Sequence, residues 1–240
     1  YAFLVIPGGM LWLTYSPLEQ AVNTIYHPDP VALLLLTAIN PILFVIFTFP
    51  AGLLTDKKGF KFVVGIGAIL QAAFGILRIF PQDIYLIIAC VAGYSIGGCF
   101  ITAGIEKLSV RWFPLEGRAV ATGVSSMSML VGWILGLFLT PIIYLAEGSG
   151  VNGFLMINII YGTIALVVAF AFLILSKENP PTPPTPSAEK LEVEGVGKML
   201  KTRDLWILAL GFFAGFWMIT GLLTAYPLFS GYLIPPGSVP

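Results

Sequence analysis

The chain has 240 residues, 58% of them hydrophobic and 10% charged, with a formal net charge of zero. A soluble domain carries about 25% charged residues, so too little polar side chain is present to coat a soluble globule. Zero net charge gives nucleic acid nothing to select, and what remains is a polytopic helical membrane protein with the lipid bilayer as its solvent.

A bilayer core takes about 20 apolar residues as helix, and seven runs qualify: Ala2–Ala21, Val31–Leu54, Phe62–Phe80, Ile84–Ile105, Ala119–Ala146, Gly153–Leu175 and Leu205–Leu228. Backbone in lipid must satisfy its own hydrogen bonds, so these runs are predicted helices rather than strands. The chain opens at Tyr1, without a methionine and already inside an apolar run. Its first residues are expected to be missing, since a signal peptide would show a charged start and a small-residue cleavage site.

The connections alternate in charge. The first holds Glu19, Asp29 and His27; the second Lys57, Lys58 and Lys61; the third has only Arg78 near it. The fourth holds Lys107, Arg111 and Arg118, the fifth no basic residue, and the sixth Lys177, Lys190, Lys198, Lys201 and Arg203. Eleven of the twelve basic residues therefore share one side. The positive-inside rule makes that side cytoplasmic, together with the N-terminus and the long sixth connection; the plasma membrane is the expected location. That connection opens proline-rich, in KENPPTPPTP, and then becomes charged. So many prolines favour an extended spacer over a helix. The predicted organisation is a six-span bundle over 1–176, a cytoplasmic linker over 177–204, and span seven with an outer segment over 205–240.

The stretch AGLLTDKKGFKF, from Ala51 to Phe62, sets a charged knot between spans two and three. Gly52 would let another helix approach closely. Asp56 can cap a helix or pair with a cation such as Arg111 or Arg118. Gly59 permits a tight turn, and the lysines Lys57 and Lys61 hold the loop at the anionic inner surface. A plain basic loop is the alternative. Gly52, Leu54, Asp56, Lys57, Gly59 and Lys61 match the loop signature G-x-L-x-D-[RK]-x-G-[RK]-[RK], with Phe60 departing from it. In this the chain resembles the major facilitator superfamily of transporters. The resemblance implies a twelve-span carrier of two bundles, in which this loop latches the halves in the outward-open state. Arg111 and Arg118 would belong to the same latch. The chain would then be a fragment lacking most of its second half.

RWFPLEGRAVATG, from Arg111 to Gly123, is similar to the family's loop between spans four and five. Gly123, Gly132 and Gly136 on span five resemble the glycine pattern of family antiporters, but Leu137 stands for a proline and Thr140-Pro141 for a glycine pair. Packing glycines are the preferred reading. More finely, WLTYSP on span one and SVRWFPLEGRAVATG resemble the feline leukaemia virus subgroup C receptor-related transporters, though Ser128 and its neighbours stand where an asparagine-glutamine pair is expected.

Secondary transporters bind cargo near the midplane on helices broken by glycine and proline. Span one carries Pro7-Gly8-Gly9, and Gly8, Trp12, Tyr15 and Glu19 would share one helical face. Aromatic rings below a carboxylate would attract a cationic or amphipathic small molecule; an interfacial aromatic belt plus a loop acid is the alternative. Trp217 and Thr224 repeat the idea on span seven, and Asn40, Gln71 and Asn158 are buried amides. Tyr94 and Ser125 are further candidates for the cavity. Polar groups in a membrane are functional candidates, with helix–helix glue as the competing role. No charged residue falls near the middle of a span, so this half offers no proton relay.

Gly93-Tyr94-Ser95-Ile96-Gly97 matches G-x-S-x-G, but a nucleophile elbow needs a strand-turn-helix and a histidine base. The one histidine lies on a loop, so small-residue packing is preferred and no enzyme is expected. No zinc or phosphate-loop spacing is present, and no metal or cofactor is implied. Cys90 and Cys99 lie roughly 13 Å apart on opposite faces of one helix, too far for a disulfide. A carrier and a non-transporting sensor or scaffold both remain open at this level.

Overall fold

The structure, a computed structural model, describes residues 1–80, 83–178, 201–211, 213–215, 218 and 221. The helices are α1 (Ala2–Trp12), α2 (Glu19–Tyr26), α3 (Pro30–Lys58), α4 (Phe60–Leu77), α5 (Ile84–Thr102), α6 (Gly104–Trp112), α7 (Leu115–Ala146) and α8 (Gly150–Leu175). A 3-10 turn at Ser16–Leu18 separates α1 from α2. No strand occurs among the described residues. Pro30–Lys58, Phe60–Leu77, Ile84–Trp112, Leu115–Ala146 and Gly150–Leu175 are long and apolar enough to cross a membrane. They correspond to predicted spans two to six.

Span one departs from the expected single helix. Pro17 has no N–H to give and its ring clashes with the carbonyl four residues back, at Leu13. The helix therefore stops at Trp12, with Leu13 as its C-cap, and resumes at Glu19. Thr14 fills part of the gap, its hydroxyl donating to the carbonyls of Met10 (3.1 Å) and Leu11 (3.1 Å). Pro41, Pro50 and Pro141 sit inside α3 and α7 without ending them.

Packing runs through small residues. α1 lies against α7, α4 against α5 and α8, and α3 against α5. At the first crossing an added Cβ at Gly9 would meet Gly132 Cα at 3.0 Å, and one at Gly136 would meet Met10 Cα at 3.1 Å. At the second, a Cβ on Gly97 would lie 2.6 Å from the Gly67 carbonyl oxygen. Gly132, Gly136 and Gly97 are thus packing glycines, as read from the sequence; Gly123, read the same way, has no neighbour within 4 Å and packs on nothing in this unit. In lipid, close backbone approach of this kind supplies the dispersion that holds helices together.

Two compact units divide between Ala188 and Glu189. In the second, residues 203–211 are helical. The greater part of the predicted linker, together with Trp217 and Thr224, lies outside the described residues.

Candidate functional site

The charged knot folds as a corner. Gly59, at φ +90°, ends α3 and opens α4, a conformation that favours glycine. Asp56 pairs with Lys107 of α6, not with Arg111 or Arg118. Arg111 instead binds Glu178, just past α8, and Arg118 Nε donates to the Phe113 carbonyl (3.4 Å). Lys107 lies one turn before Arg111 on α6, which puts its ammonium rather than the guanidinium opposite Asp56. Glu178 also accepts from the Phe60 (3.1 Å) and Lys61 (2.7 Å) backbone N–H groups. These are free donors at the first turn of α4, where the helix dipole favours a carboxylate. The basic ends of α3 and α6, the start of α4 and the acid Glu178 just past α8 thus meet at one end of the bundle. Sequence reading missed Lys107 and Glu178; both are charges in the right connections, and only the fold chooses among equivalent cations. Gly52 meets nothing: an added Cβ there has no neighbour within 4 Å, so the close approach expected at Gly52 is not made within this unit.

At the opposite end Asp29 caps α3, accepting from Ala32 N–H at 2.6 Å and from the Tyr85 hydroxyl at 2.7 Å. The Tyr85 hydroxyl and then the Ala32 amide hold its carboxyl below the usual carboxylate value.

Between the ends, Gly8, Trp12, Asn40, Gln71, Tyr94 and Ser95 line one small cavity of about 30 Å³. This is room for about one water. Asn40 Nδ2 donates to Ser95 Oγ (2.9 Å), which donates to the Val91 carbonyl (2.6 Å). The G-x-S-x-G serine is therefore embedded in a helix crossing. Gln71 Nε2 lies 3.4 Å from the Leu4 carbonyl. Trp12 stands edge-on to Trp133, with ring centroids 5.0 Å apart. Four of the sequence candidates, Trp12, Asn40, Gln71 and Tyr94, are brought together here. Ser125 is not: its hydroxyl donates back to the Ala121 carbonyl (2.9 Å).

Tyr15 and Asn158 belong to a second cluster, built around a residue the sequence reading left in a connection. Arg78, 1% exposed, caps α4 and is enclosed by the bundle. Its Nη1 donates to the Leu11 carbonyl (3.2 Å), which also accepts from the Tyr94 hydroxyl (3.1 Å). The break in span one frees that carbonyl, and a cation at a helix C-terminus is favourable. The guanidinium carbon lies 4.7 Å from the Tyr15 ring centroid and 5.5 Å from that of Tyr94. Asn158 Nδ2 donates to the Arg78 carbonyl (3.1 Å) and approaches the Tyr15 hydroxyl (3.5 Å). The shared face expected of Gly8, Trp12, Tyr15 and Glu19 is therefore not formed. The helix breaks between Trp12 and Tyr15, Glu19 is exposed, and the Tyr15 ring already faces a cation. The signal that could have revealed Arg78 was available. It is an arginine with no acid within a turn on either side, next to apolar residues only.

Residues 1–234 match the sequence profile of the Major Facilitator Superfamily. The chain belongs to the major facilitator superfamily. Within that superfamily it is 25% identical to "Solute carrier family 49 member A3" of Danio rerio, over 89% of this chain and 47% of the relative. The protein of the same name in Xenopus tropicalis is 27% identical, over 94% of this chain and 50% of the relative. A "Nitrite extrusion protein" of Bacillus subtilis (strain 168) is 27% identical over 60% of this chain and 36% of its own length. The solute carrier family 49 relatives agree with the finer resemblance drawn from span one and the fourth connection. Among solved structures, a bacterial homologue of the human lysosomal transporter Spinster, inward-facing and unoccupied, superposes with a TM-score of 0.74. It is 17% identical and covers 96% of this chain and 54% of its own, which is a likeness of fold. The chain spans about half the length of the curated relatives it matches. It is an integral, multi-pass, all-helical membrane protein of the superfamily fold.

Proposed function

We propose that the full-length protein is a secondary transporter that carries a small molecule by alternating access, and is not an enzyme. The observation that carries this reading is the discontinuous first span. Trp12, the last residue before the break, lines a cavity with Asn40, Gln71 and Tyr94 inside a superfamily bundle. Broken helices and polar lining at mid-membrane are what carriers use to hold cargo. Residues 1–176 are then the N-terminal bundle, 177–204 the cytoplasmic linker and 205–240 the start of the second bundle. The N-terminus and linker face the cytoplasm in the plasma membrane, and the corner at Asp56, Lys57, Gly59 and Lys61 is a conformational latch. Trp12, Asn40, Gln71 and Tyr94 contact cargo.

The test is uptake by the full-length protein reconstituted in vesicles, screened against a panel of labelled solutes. A carrier accumulates at least one of them, and Trp12→Ala raises the half-saturating concentration about tenfold, the loss of roughly 1.4 kcal/mol of ring contact. A folded wild-type protein that moves none of the panel, while binding one at its cavity, would instead be a sensor.

A further inference from the structure

Arg78 leaves half of its guanidinium unused. Nη1 is bonded to Leu11, but Nε and Nη2 are buried without any hydrogen-bond partner. Those two nitrogens form one edge of the planar group, the edge that meets both oxygens of a carboxylate at once. No acid answers it: the ion pairs among the described residues are Lys107–Asp56 and Arg111–Glu178, both at the other end of α4. Asn158 Oδ1, beside the same cluster, is buried and unpartnered too. A guanidinium stays protonated in a protein, and a buried charge without a counterion is costly. Part of that cost is met by the C-terminal carbonyl of α1 and by the two tyrosine rings. These contacts occupy Nη1 and the faces of the group, the Tyr15 hydroxyl lies close by, and the Nε–Nη2 edge is left without an acceptor in hydrogen-bond geometry.

We propose that the free edge of Arg78 is a binding site for the carboxylate of a small organic anion. This deepens the carrier reading and rests on it, because Tyr94 is both a wall of the cavity and a face of the guanidinium. The cavity holds about one water in this conformation, so a cargo's body needs it widened; Tyr94 is the wall between it and Arg78, and the carboxylate oxygens take the places opposite Nε and Nη2. Tyr15 covers the guanidinium in this conformation, and it sits in the non-helical stretch between α1 and the 3-10 turn, the part of span one with fewest backbone bonds to break. The cationic cargo suggested by the aromatic residues of span one is disfavoured for the same reason. A positive charge already occupies the Tyr15 ring to which such a cargo would bind, and Trp12 packs edge-on against Trp133.

Three probes of one shape and different charge decide the point: benzoate, benzamide and benzamidine. Binding of each to the purified full-length protein in nanodiscs is measured by calorimetry and by thermal shift. Benzoate is expected to bind at least tenfold tighter than benzamide, and benzamidine more weakly than either. Arg78→Gln should bring benzoate level with benzamide. Arg78→Lys keeps the charge but loses the fork, and should hold benzoate about threefold more weakly than wild type while still preferring it to benzamide. If neither variant folds, the wild-type series alone decides. Equal affinity for the three, no binding of any, or a preference for benzamidine overturns the proposal, as does an Arg78→Gln protein that still prefers benzoate. A protein that transports solutes but shows no anion preference sinks this inference alone; one that binds benzoate but transports nothing sinks the carrier reading alone.

Discussion

Asp56 and Lys107 are only 18% and 22% exposed at their side chains, which sets their pairing apart from an open surface bridge. A charge-assisted bond in that setting contributes about 1–2 kcal/mol. Removing one member also leaves the other half-buried and unpaired. Asp56→Asn is therefore expected to slow transport several-fold, or to bias the carrier toward its inward state, without lowering expression. Lys107→Gln should do the same. Because both changes remove a single bond, the double variant should be no slower than the worse single one. Uptake rates from the four proteins in one vesicle preparation give the answer. Additive losses would show that Asp56 and Lys107 act separately, and wild-type kinetics in Asp56→Asn would remove the latch role. Arg111→Gln, by contrast, acts on Glu178 and hence on the cap of α4, so its effect should add to that of Asp56→Asn.

At the scale of helices, the α4–α5 crossing is held by backbone contact. A Cβ at Gly97 would meet Gly67 O at 2.6 Å and Gln71 N at 2.7 Å, both main-chain atoms that cannot swing aside. Gly97→Ala must push the helices apart, at a cost of about 1–3 kcal/mol. A fall in the melting temperature of the purified protein measures this; an unchanged value would mean the helices are not in contact at Gly97. Much of this level was legible in the sequence. Five of the spans were visible as apolar runs because lipid demands them. Gly97, Gly132 and Gly136 were visible because only small residues permit such crossings, whereas Gly52 and Gly123, read in the same way, meet no neighbour in this unit. The corner at Gly59 was visible because it needs a positive φ. What escaped was contact between distant segments. Composition cannot say that Asp56 chooses Lys107 over Arg111, nor that Asn158 and Tyr15 leave the Trp12 cavity for Arg78. The break in span one escaped for a different reason: the spacing of Gly8, Trp12, Tyr15 and Glu19 suits a continuous helix, and a proline such as Pro17 ends some helices while Pro41, Pro50 and Pro141 leave theirs intact. Arg78 was assigned by charge to a connection because its burial arises from α1, α5 and α8 closing over the end of α4.

Taken as a whole, the bundle has two kinds of glycine, and they separate fold from function. Gly132 and Gly97 are closed in by neighbouring helices. Gly52, in the loop signature, has open space around it, and α3, which carries it, exposes Val45, Ile46 and Phe49. A mid-helix glycine costs about 1 kcal/mol relative to alanine or leucine. A residue retained at that cost, with nothing packed on it in its own unit, is explained if a helix of the second bundle passes over it during the transport cycle. Gly52→Leu then has a distinctive signature. The thermal stability of the full-length protein should stay level or rise, because no contact inside the unit is lost and helix propensity improves. Transport should fall by tenfold or more, because the leucine blocks one of the two bundle positions. Gly97→Ala should show the reverse order, losing stability first. If Gly52→Leu is stable and transports at the wild-type rate, no helix approaches Gly52 in either state, and the latch must work through Asp56 and its cation alone.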